Sequence, residues 1–502
     1  MTTFHERIRK TLKIDPQATA IEFRGEWMSW GELGRIVEGV DAALAQAGLP
    51  ADGGAGLVMR NTPPICGAVL SLIASDRCLI TLNPYYPDAT LAEDVRKLRP
   101  AAVVASKMDW ERPAFREAAR EIGAAGIEIA EDGAVRLVPG LEAIGPGEHF
   151  QPEEDVGIYM LTSGTTGPPK RIPMTRHRIL KTLEGAAQQF EKNRTLEDEP
   201  VLRKAVMIHQ GSMTHVGGLW NLISAVMGGF RICLLDKFNA AEWRRAIAVH
   251  KPRAAGLPPS AVRMLLDTDA TKEELSSLVA LRCGTAPLDA DTIDAVWDRW
   301  GLAVLTSYGS TEFTGVAGWQ IDDFRKNWKA KRGAAGRLNP IYEARVRDLE
   351  TDEILPPGKE GVLELRGDHV WNGQWVRTTD RAILDEDKYI WIKGRLDNAI
   401  NRGGFKVHGE EIASVLNQHP DVREACVVGV PDKRLGEAPA AAVILRDGGR
   451  LTEEELRAWA REHMLPYQVP VRFVFVDDLP RTASEKPMLP AVRALLAEAA
   501  EA

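Results

Sequence analysis

Cysteine is scarce in this sequence: five in 502 residues, at positions 66, 78, 233, 283 and 426, with no CxxC pair and no Cys/His run at metal-ligand spacing. An odd, scattered set builds no disulfide framework, so a reducing compartment and no structural zinc are expected. Positive charge is short too. The 63 Lys and Arg face 71 Asp and Glu, leaving −8, the wrong balance for holding nucleic acid by its phosphates. Long apolar runs are missing as well. The longest uncharged stretch, residues 205–230, contains His209, Gln210, Thr214, His215 and Asn221 and several glycines, too polar for a membrane span. The first residues, MTTFHERIRKTLKID, carry charge where a secretory signal needs an apolar core. The expected location is the cytoplasm. What remains is ample for globular folding: 44% hydrophobic residues, 13 Trp and a mean hydropathy of −0.20, in a chain several times the length of one typical domain.

From about residue 15 to 150, short apolar runs alternate with amphipathic stretches, the pattern of a parallel sheet flanked by helices. Leu33, Ile36, Val37, Val40 and Leu44 fall at helical spacing between Gly31 and Ala47, while Leu57–Met59 and Ala101–Ala105 read as short buried strands. The alternation resumes after residue 200, with Arg231–Leu235, Ala241–His250 and Leu302–Gly309. Near residue 340 the chain turns strand-rich, through Glu343–Asp348, Gly361–Gly367 and Tyr389–Gly394. Beyond Arg395 a compact tail has its own pattern. It includes a capping box at Thr452–Glu455 ahead of Leu456, Trp459, Ala460 and Met464. A domain boundary is expected within a few residues of Asp397.

The sharpest chemical signal is LTSGTTGPPK, Leu161 to Lys170, after the strand-like Val156–Leu161 and before a helix-like TRHRILKTLEGAAQQF. Backbone N–H groups freed by glycine, threonine hydroxyls and one lysine form a cradle for a polyphosphate. It is not a Walker loop: Gly164, Gly167 and Lys170 fall at G-x-x-G-x-x-K, and Arg171 stands where a magnesium-binding Ser or Thr would be.

With that loop come Tyr308-Gly309-Ser310-Thr311-Glu312, Thr378-Thr379-Asp380, Gly394-Arg395-Leu396-Asp397 and Lys486. In this order and at these separations they resemble the motifs of the acyl-adenylate-forming superfamily, which includes acyl-CoA synthetases, adenylation domains of nonribosomal peptide synthesis and beetle luciferases. The resemblance spans nearly the whole chain. It implies an α/β fold with a large N-terminal ATP- and acid-binding domain, residues 1–396, of doubly wound sheets and a small barrel-like β region. A small mobile α+β lid, residues 397–502, would follow. The activity implied is an AMP-forming carboxylic acid:CoA ligase with ATP, Mg2+ and coenzyme A.

The resemblance also assigns roles. Thr162, Ser163, Gly164, Thr165, Thr166, Gly167 and Lys170 would hold the ATP phosphates, and Glu312, aided by Thr162, a magnesium ion. Gly284, Thr285 and Ala286 would lie along the adenine with Tyr308 on its other face, Gly309 and Ser310 would complete that side, Thr311 would be catalytic with Glu312, His215 and Lys486, and Asp380 and Arg395 would meet the ribose or the α-phosphate. His215 matches the position where the carboxylate enters. Lys486 would be the adenylation lysine, Asp397 the hinge, and Gly403, Gly404 and Lys406 would face the pantetheine and phosphates of CoA. Such roles suit the chemistry. A carboxylate is a poor electrophile until it becomes an acyl-AMP, and charge builds on the α-phosphate as it does so.

Two positions depart from the family pattern: Thr379 replaces the glycine of a TGD motif, and Glu485 stands where relatives usually have glycine before the lysine. A stand-alone adenylating enzyme that passes the acyl group to a carrier protein or an amine is the alternative. No carrier domain with its own serine follows residue 502, so transfer would be in trans. A degenerate nucleotide-binding protein is the third reading. A homodimer is the oligomer to test for. The acid itself is open, a moderate-sized hydrophobic or aromatic carboxylate being the guess.

Overall fold

The computed structural model describes residues 4–161, 170–190, 198–284, 286–310, 313, 315–367, 373–402, 405–432, 435–482 and 485–499, and of residues 4, 184–190, 397, 401, 405 and 406 the backbone alone. The described residues pack as two compact units, one from the chain up to residue 256 and one from residue 257 on.

In the first unit a sheet runs in the order Val135–Leu137, Ala125–Ile129, Ala102–Ser106, Gly54–Val58, Cys78–Leu82, Val156–Leu161, Arg171–Thr175. Its central strands are parallel and its two edge pairings antiparallel. Gly54–Val58 and Cys78–Leu82 are buried at every residue, as strands covered by helices on both faces must be. The helix Pro63–Ile73 is also buried throughout, the mark of a helix apolar all round. The helix Trp30–Gln46 begins at a capping box between Ser29 and Glu32 and buries Leu33, Ile36, Val37, Val40 and Leu44, the face read from the sequence. A second sheet sets Thr19–Phe23 between Glu26–Ser29 and Arg231–Leu234, with Val206–His209 at its edge.

One expectation is modified here. Between the Thr- and Gly-rich loop and the helix Arg176–Phe190 lies the strand Arg171–Thr175, antiparallel to Val156–Leu161. Its sequence, RIPMT, holds a proline and little apolar alternation, and as an edge strand it tolerates both. The loop therefore joins two paired strands instead of running from a strand straight into a helix.

In the second unit a sheet passes through Ala280–Cys283, Ala303–Tyr308, Ala317–Gly318, Gly336–Leu338, Tyr389–Arg395, Val376–Leu384, Glu360–Arg366 and Glu343–Arg347. It changes from parallel pairing at Ala280–Cys283 to antiparallel pairing beyond Tyr308. The tail has its own sheet, Phe405–His408, Ala399–Arg402, Gly436–Leu445 and Val422–Asp432, with Arg472–Phe475 alongside Gly436–Leu445. Helices Gly409–Leu416, Glu453–His463 and Leu489–Glu498 accompany it. The capping box at Thr452 and Glu455 forms as read. The whole is mixed α/β, a large N-terminal part of several sheets followed by a smaller α+β part. Among the described residues no helix is long and apolar enough to cross a membrane.

Candidate active site

In the first unit the shoulders of the Thr- and Gly-rich loop are held firmly. Leu161 and Arg171 are register partners. The Leu161 amide donates to Thr81 Oγ1 at 2.8 Å, and Arg171 donates to both oxygens of Asp94, at 2.6 and 2.9 Å, and to the Thr81 carbonyl at 3.2 Å. Arg171 thus has a structural duty, which accounts for an arginine where a Walker loop has its hydroxyl. Lys170, the loop's last residue, is exposed. Thr162, Ser163, Gly164, Thr165, Thr166 and Gly167 lie outside the described residues.

His215 stands at the N-cap of the helix Val216–Met227, and the loop before it is built from neutral hydrogen bonds. Asn61, almost fully buried, donates to the Gly211 carbonyl and accepts from the Met213 amide, both at 3.1 Å. Ser212 and Thr214 hydroxyls share a 2.8 Å bond. A Cβ on Gly218 would come within 2.2 Å of the Ser212 carbonyl, so only glycine lets this helix pack against the loop. Asn61 is a functional support that sequence reading missed, because a lone asparagine 150 residues away carries no local signal. His209 ends the strand Val206–His209; burial pushes its pKa down to about 4, so it is neutral at pH 7.

One further group in this unit merits a metal test. Glu22, Cys233 and His250 bring three ligand types within 4.8 Å. Their polar atoms are already committed to one another: His250 Nε2 lies 2.5 Å from Glu22 Oε2, and Arg245 stands 3.5 Å from the other oxygen. Burial first, then the bond to Glu22, pushes the Cys233 thiol pKa far up. With the thiol protonated and a guanidinium beside the carboxylate, the three residues and Arg245 form a closed hydrogen-bonded cluster.

The second unit brings four of the motif residues together. Tyr308 ends the strand Ala303–Tyr308 and its hydroxyl donates to Asp380 Oδ2 at 2.5 Å. Burial, then the charge and hydrogen bond of Asp380, drives the Tyr308 pKa well up, against a smaller opposing pull from Arg395, so the phenol keeps its proton. Asp380 is the register partner of Arg395 across the ladder, and its amide donates to Thr378 Oγ1 at 3.1 Å. Thr379 is exposed while Thr378 and Asp380 are half-buried, as alternation along a strand requires. The missing glycine of the TGD motif therefore crowds nothing.

At the neighbouring strand end, a Cβ on Gly284 would approach Ser307 Oγ to 3.1 Å, tight enough to favour glycine there. Gly284 and Ala286 are half-buried; Gly309 and Ser310 are exposed. The Ser310 amide donates to the Phe313 carbonyl at 2.9 Å, and the Phe313 amide to Ser310 Oγ at 3.2 Å. Thr285, Thr311 and Glu312 lie outside the described residues, as do Gly403 and Gly404 and the side chains of Asp397 and Lys406.

Lys486 sits on a loop that closes on itself. The Thr482 amide donates to the Lys486 carbonyl at 2.8 Å and the Lys486 amide to Thr482 Oγ1 at 3.3 Å. Glu485 has φ +62°, the left-handed conformation that favours glycine, so the glycine of relatives has a conformational reason that this chain forgoes.

The strand ends thus bring a phenol onto a carboxylate, with an arginine paired to that carboxylate's residue across the ladder and a glycine at the neighbouring strand end. The chain belongs to the AMP-binding enzyme family: the family's model matches residues 8–375, and that of the AMP-binding enzyme C-terminal domain matches residues 411–486. Among curated relatives, the peroxisomal OPC-8:0-CoA ligase 1 of Arabidopsis thaliana is 28% identical over 92% of this chain and 87% of its own. The 2-succinylbenzoate–CoA ligase of Bacillus cereus is 27% identical over 99% and 100%. Among solved structures, ATP-bound MatB from Rhodopseudomonas palustris superposes with a TM-score of 0.80 at 25% identity, over 97% of this chain and 98% of that one. Family and relatives together put the chain among the AMP-forming acyl-CoA ligases.

Proposed function

We propose that the chain joins a carboxylic acid to ATP's α-phosphate, releasing pyrophosphate, and then passes the acyl group from acyl-AMP to the thiol of CoA. The observation that carries this reading is the contact of Tyr308 with Asp380 beside Arg395. A phenol kept neutral offers a flat face to a base, and a carboxylate fixed by the phenol's hydrogen bond retains lone pairs for ribose hydroxyls. Thr162, Ser163, Gly164, Thr165, Thr166, Gly167 and Lys170 serve the phosphates, with the firm shoulders at Leu161 and Arg171 in support. Glu312 and Thr162 would hold Mg2+, which would supply positive charge to the phosphates. Gly284, Thr285 and Ala286 lie along adenine, with Gly309 and Ser310 beside them, and Thr311 is catalytic with Glu312. His215 faces the incoming carboxylate, and Lys486 bridges it to the α-phosphate.

The lid is residues 397–502, hinged at Asp397, and it exchanges Lys486 for the Gly403, Gly404 and Lys406 strand when CoA reacts. The chain works in the cytoplasm with small molecules, not nucleic acid. A homodimer is the oligomer proposed.

A pyrophosphate-release screen over short, medium, long-chain, aryl and polycyclic acids, with ATP, Mg2+ and CoA, tests the reading. AMP, pyrophosphate and a thioester are the expected products. Release of ADP and phosphate would sink it, and adenylate without thioester would turn the acceptor to an amine or a carrier protein.

A further inference from the structure

We propose that Arg481 is a positioning residue for Lys486, fixed in that task by the buried carboxylate of Glu424. The inference rests on the assignment of Lys486 to adenylation and adds to it the device that aims the lysine.

The geometry runs through one peptide group. Arg481 Nη1 donates to the Glu485 carbonyl at 3.1 Å, and that carbonyl belongs to the peptide linking Glu485 to Lys486. The same guanidinium donates through Nη2 to Glu424 Oε2 at 2.7 Å and through Nε to Asp478 Oδ1 at 3.2 Å. One planar fork thus ties together the two arms of the loop and the strand Val422–Asp432, on which Glu424 stands. The arms also meet by backbone, with Met488 N donating to Pro480 O at 2.8 Å and a bridge between Arg481 and Pro487. Those bonds close the loop, and Thr482 holds the N–H side of the Glu485–Lys486 peptide through its Oγ1 at 3.3 Å; the guanidinium holds the carbonyl side. That peptide follows a residue at φ +62°, a conformation a glutamate resists. Loss of the guanidinium removes a charge-assisted hydrogen bond from the peptide's carbonyl, and the Cα of Lys486 shifts as that peptide relaxes.

Glu424 is suited to anchor this fork. It and Arg481 are about nine-tenths buried, where a charge pair is little screened and removal of one partner strands the other. Glu424 also lies 3.9 Å from Arg263 of the helix Pro259–Leu266, and Arg263 donates to Asp289 at 2.9 Å. Glu424 is therefore flanked by two guanidiniums and stays in place when either is disturbed. Arginine, not lysine, fits the position, since an ammonium is a point charge and cannot serve a carboxylate, a second carboxylate and a carbonyl in one plane.

The test compares Arg481→Ala, Arg481→Lys and Glu424→Gln with Lys486→Ala as reference, in the full-length chain. Adenylation is read as ATP–pyrophosphate exchange with the acid of highest turnover in the screen. Thioester formation is read from chemically made acyl-AMP and CoA. The expected result for Arg481→Ala is a fall in adenylation kcat of about 10- to 10²-fold, as a misplacement of about 1 Å costs, with KM for ATP and acid unchanged and thioester formation intact. Arg481→Lys and Glu424→Gln should show the same split to a smaller degree, and they carry the test if the alanine variant does not fold. Normal adenylation in these variants while Lys486→Ala is crippled would overturn the positioning role and leave the adenylation reading standing. Equal loss in both half-reactions would also overturn it, by making Arg481 a general support of the tail. Normal adenylation in Lys486→Ala would remove the reading on which the inference rests.

Discussion

The loop that delivers His215 and the loop that delivers Lys486 are built from opposite materials. The first is held by neutral groups: Asn61 bridging Gly211 and Met213, and the hydroxyls of Ser212 and Thr214 hydrogen-bonded to each other. The second adds to its Thr482 bonds a set of charges: Arg481 on Glu424 and Asp478, with Arg263 and Asp289 behind them. Neutral bonds are short-ranged and indifferent to salt, so they suit a wall. Buried charge pairs are stronger and costly to separate, so they suit a loop whose aim must be fixed.

The comparison breaks first at Lys486. Lys486→Ala should slow adenylation by about 10²- to 10³-fold, the loss for one donor aimed at developing charge, while thioester formation from acyl-AMP and the melting temperature stay near normal. A fall in the melting temperature as large as that in a core variant would show that the charged loop is a wall too.

His209, next to the neutral loop, gives the second test. Its pKa falls from 6.5 to about 4 on folding, so the unfolded chain binds the extra proton between those values. The stability due to neutral His209 is complete above pH 6.5 and is lost as the pH falls towards 4, about 3 kcal/mol in all. His209→Gln should flatten unfolding free energy in that window, measured by urea titration at stepped pH; an unchanged slope would mean that the ring is solvated.

Asn61→Ala comes next, stranding the buried Met213 amide at a cost of about 1–3 kcal/mol. The effect should not vary between low and high salt. A salt-dependent cost would undo the contrast drawn above. The smallest effect expected is for Glu485→Gly: relief of the left-handed residue is worth roughly 1–2 kcal/mol, offset in part by the greater freedom glycine has when unfolded. The melting temperature should rise by a degree or so or hold, and a clear drop would show that the Glu485 side chain has a partner it needs.

What the sequence made legible follows from the same physics. Motif residues close in the chain, such as Tyr308 to Glu312 or Thr378 to Asp380, carry their chemistry in local order, and helices with a cap and a 3.6-residue apolar face, such as Trp30–Gln46, announce themselves. The strand Arg171–Thr175 did not, because its pairing comes from Val156–Leu161 and not from its own residues. Asn61 and Glu424 were invisible for a related reason. Each is a single polar residue whose partners lie dozens of positions away, at Gly211 and Met213 or at Arg481, and nothing local distinguishes them from surface polar groups. The departure at Thr379 could be judged only once the strand's exposed face was known.

The parallel pairing of Ile21 with Ile232 has a consequence for how the chain is made. The strand Thr19–Phe23 leaves the ribosome early, yet its neighbour on one side is translated some two hundred residues later. At about 5–20 residues per second the wait is roughly 10–40 s. Over that interval the hairpin with Glu26–Ser29 offers an apolar, half-paired edge to whatever is nearby, the kind of edge that chaperones cover and that aggregates recruit. Synthesis of this protein should therefore depend on chaperone capacity more than its finished stability would imply, and slowing translation before residue 231 should lower its soluble yield.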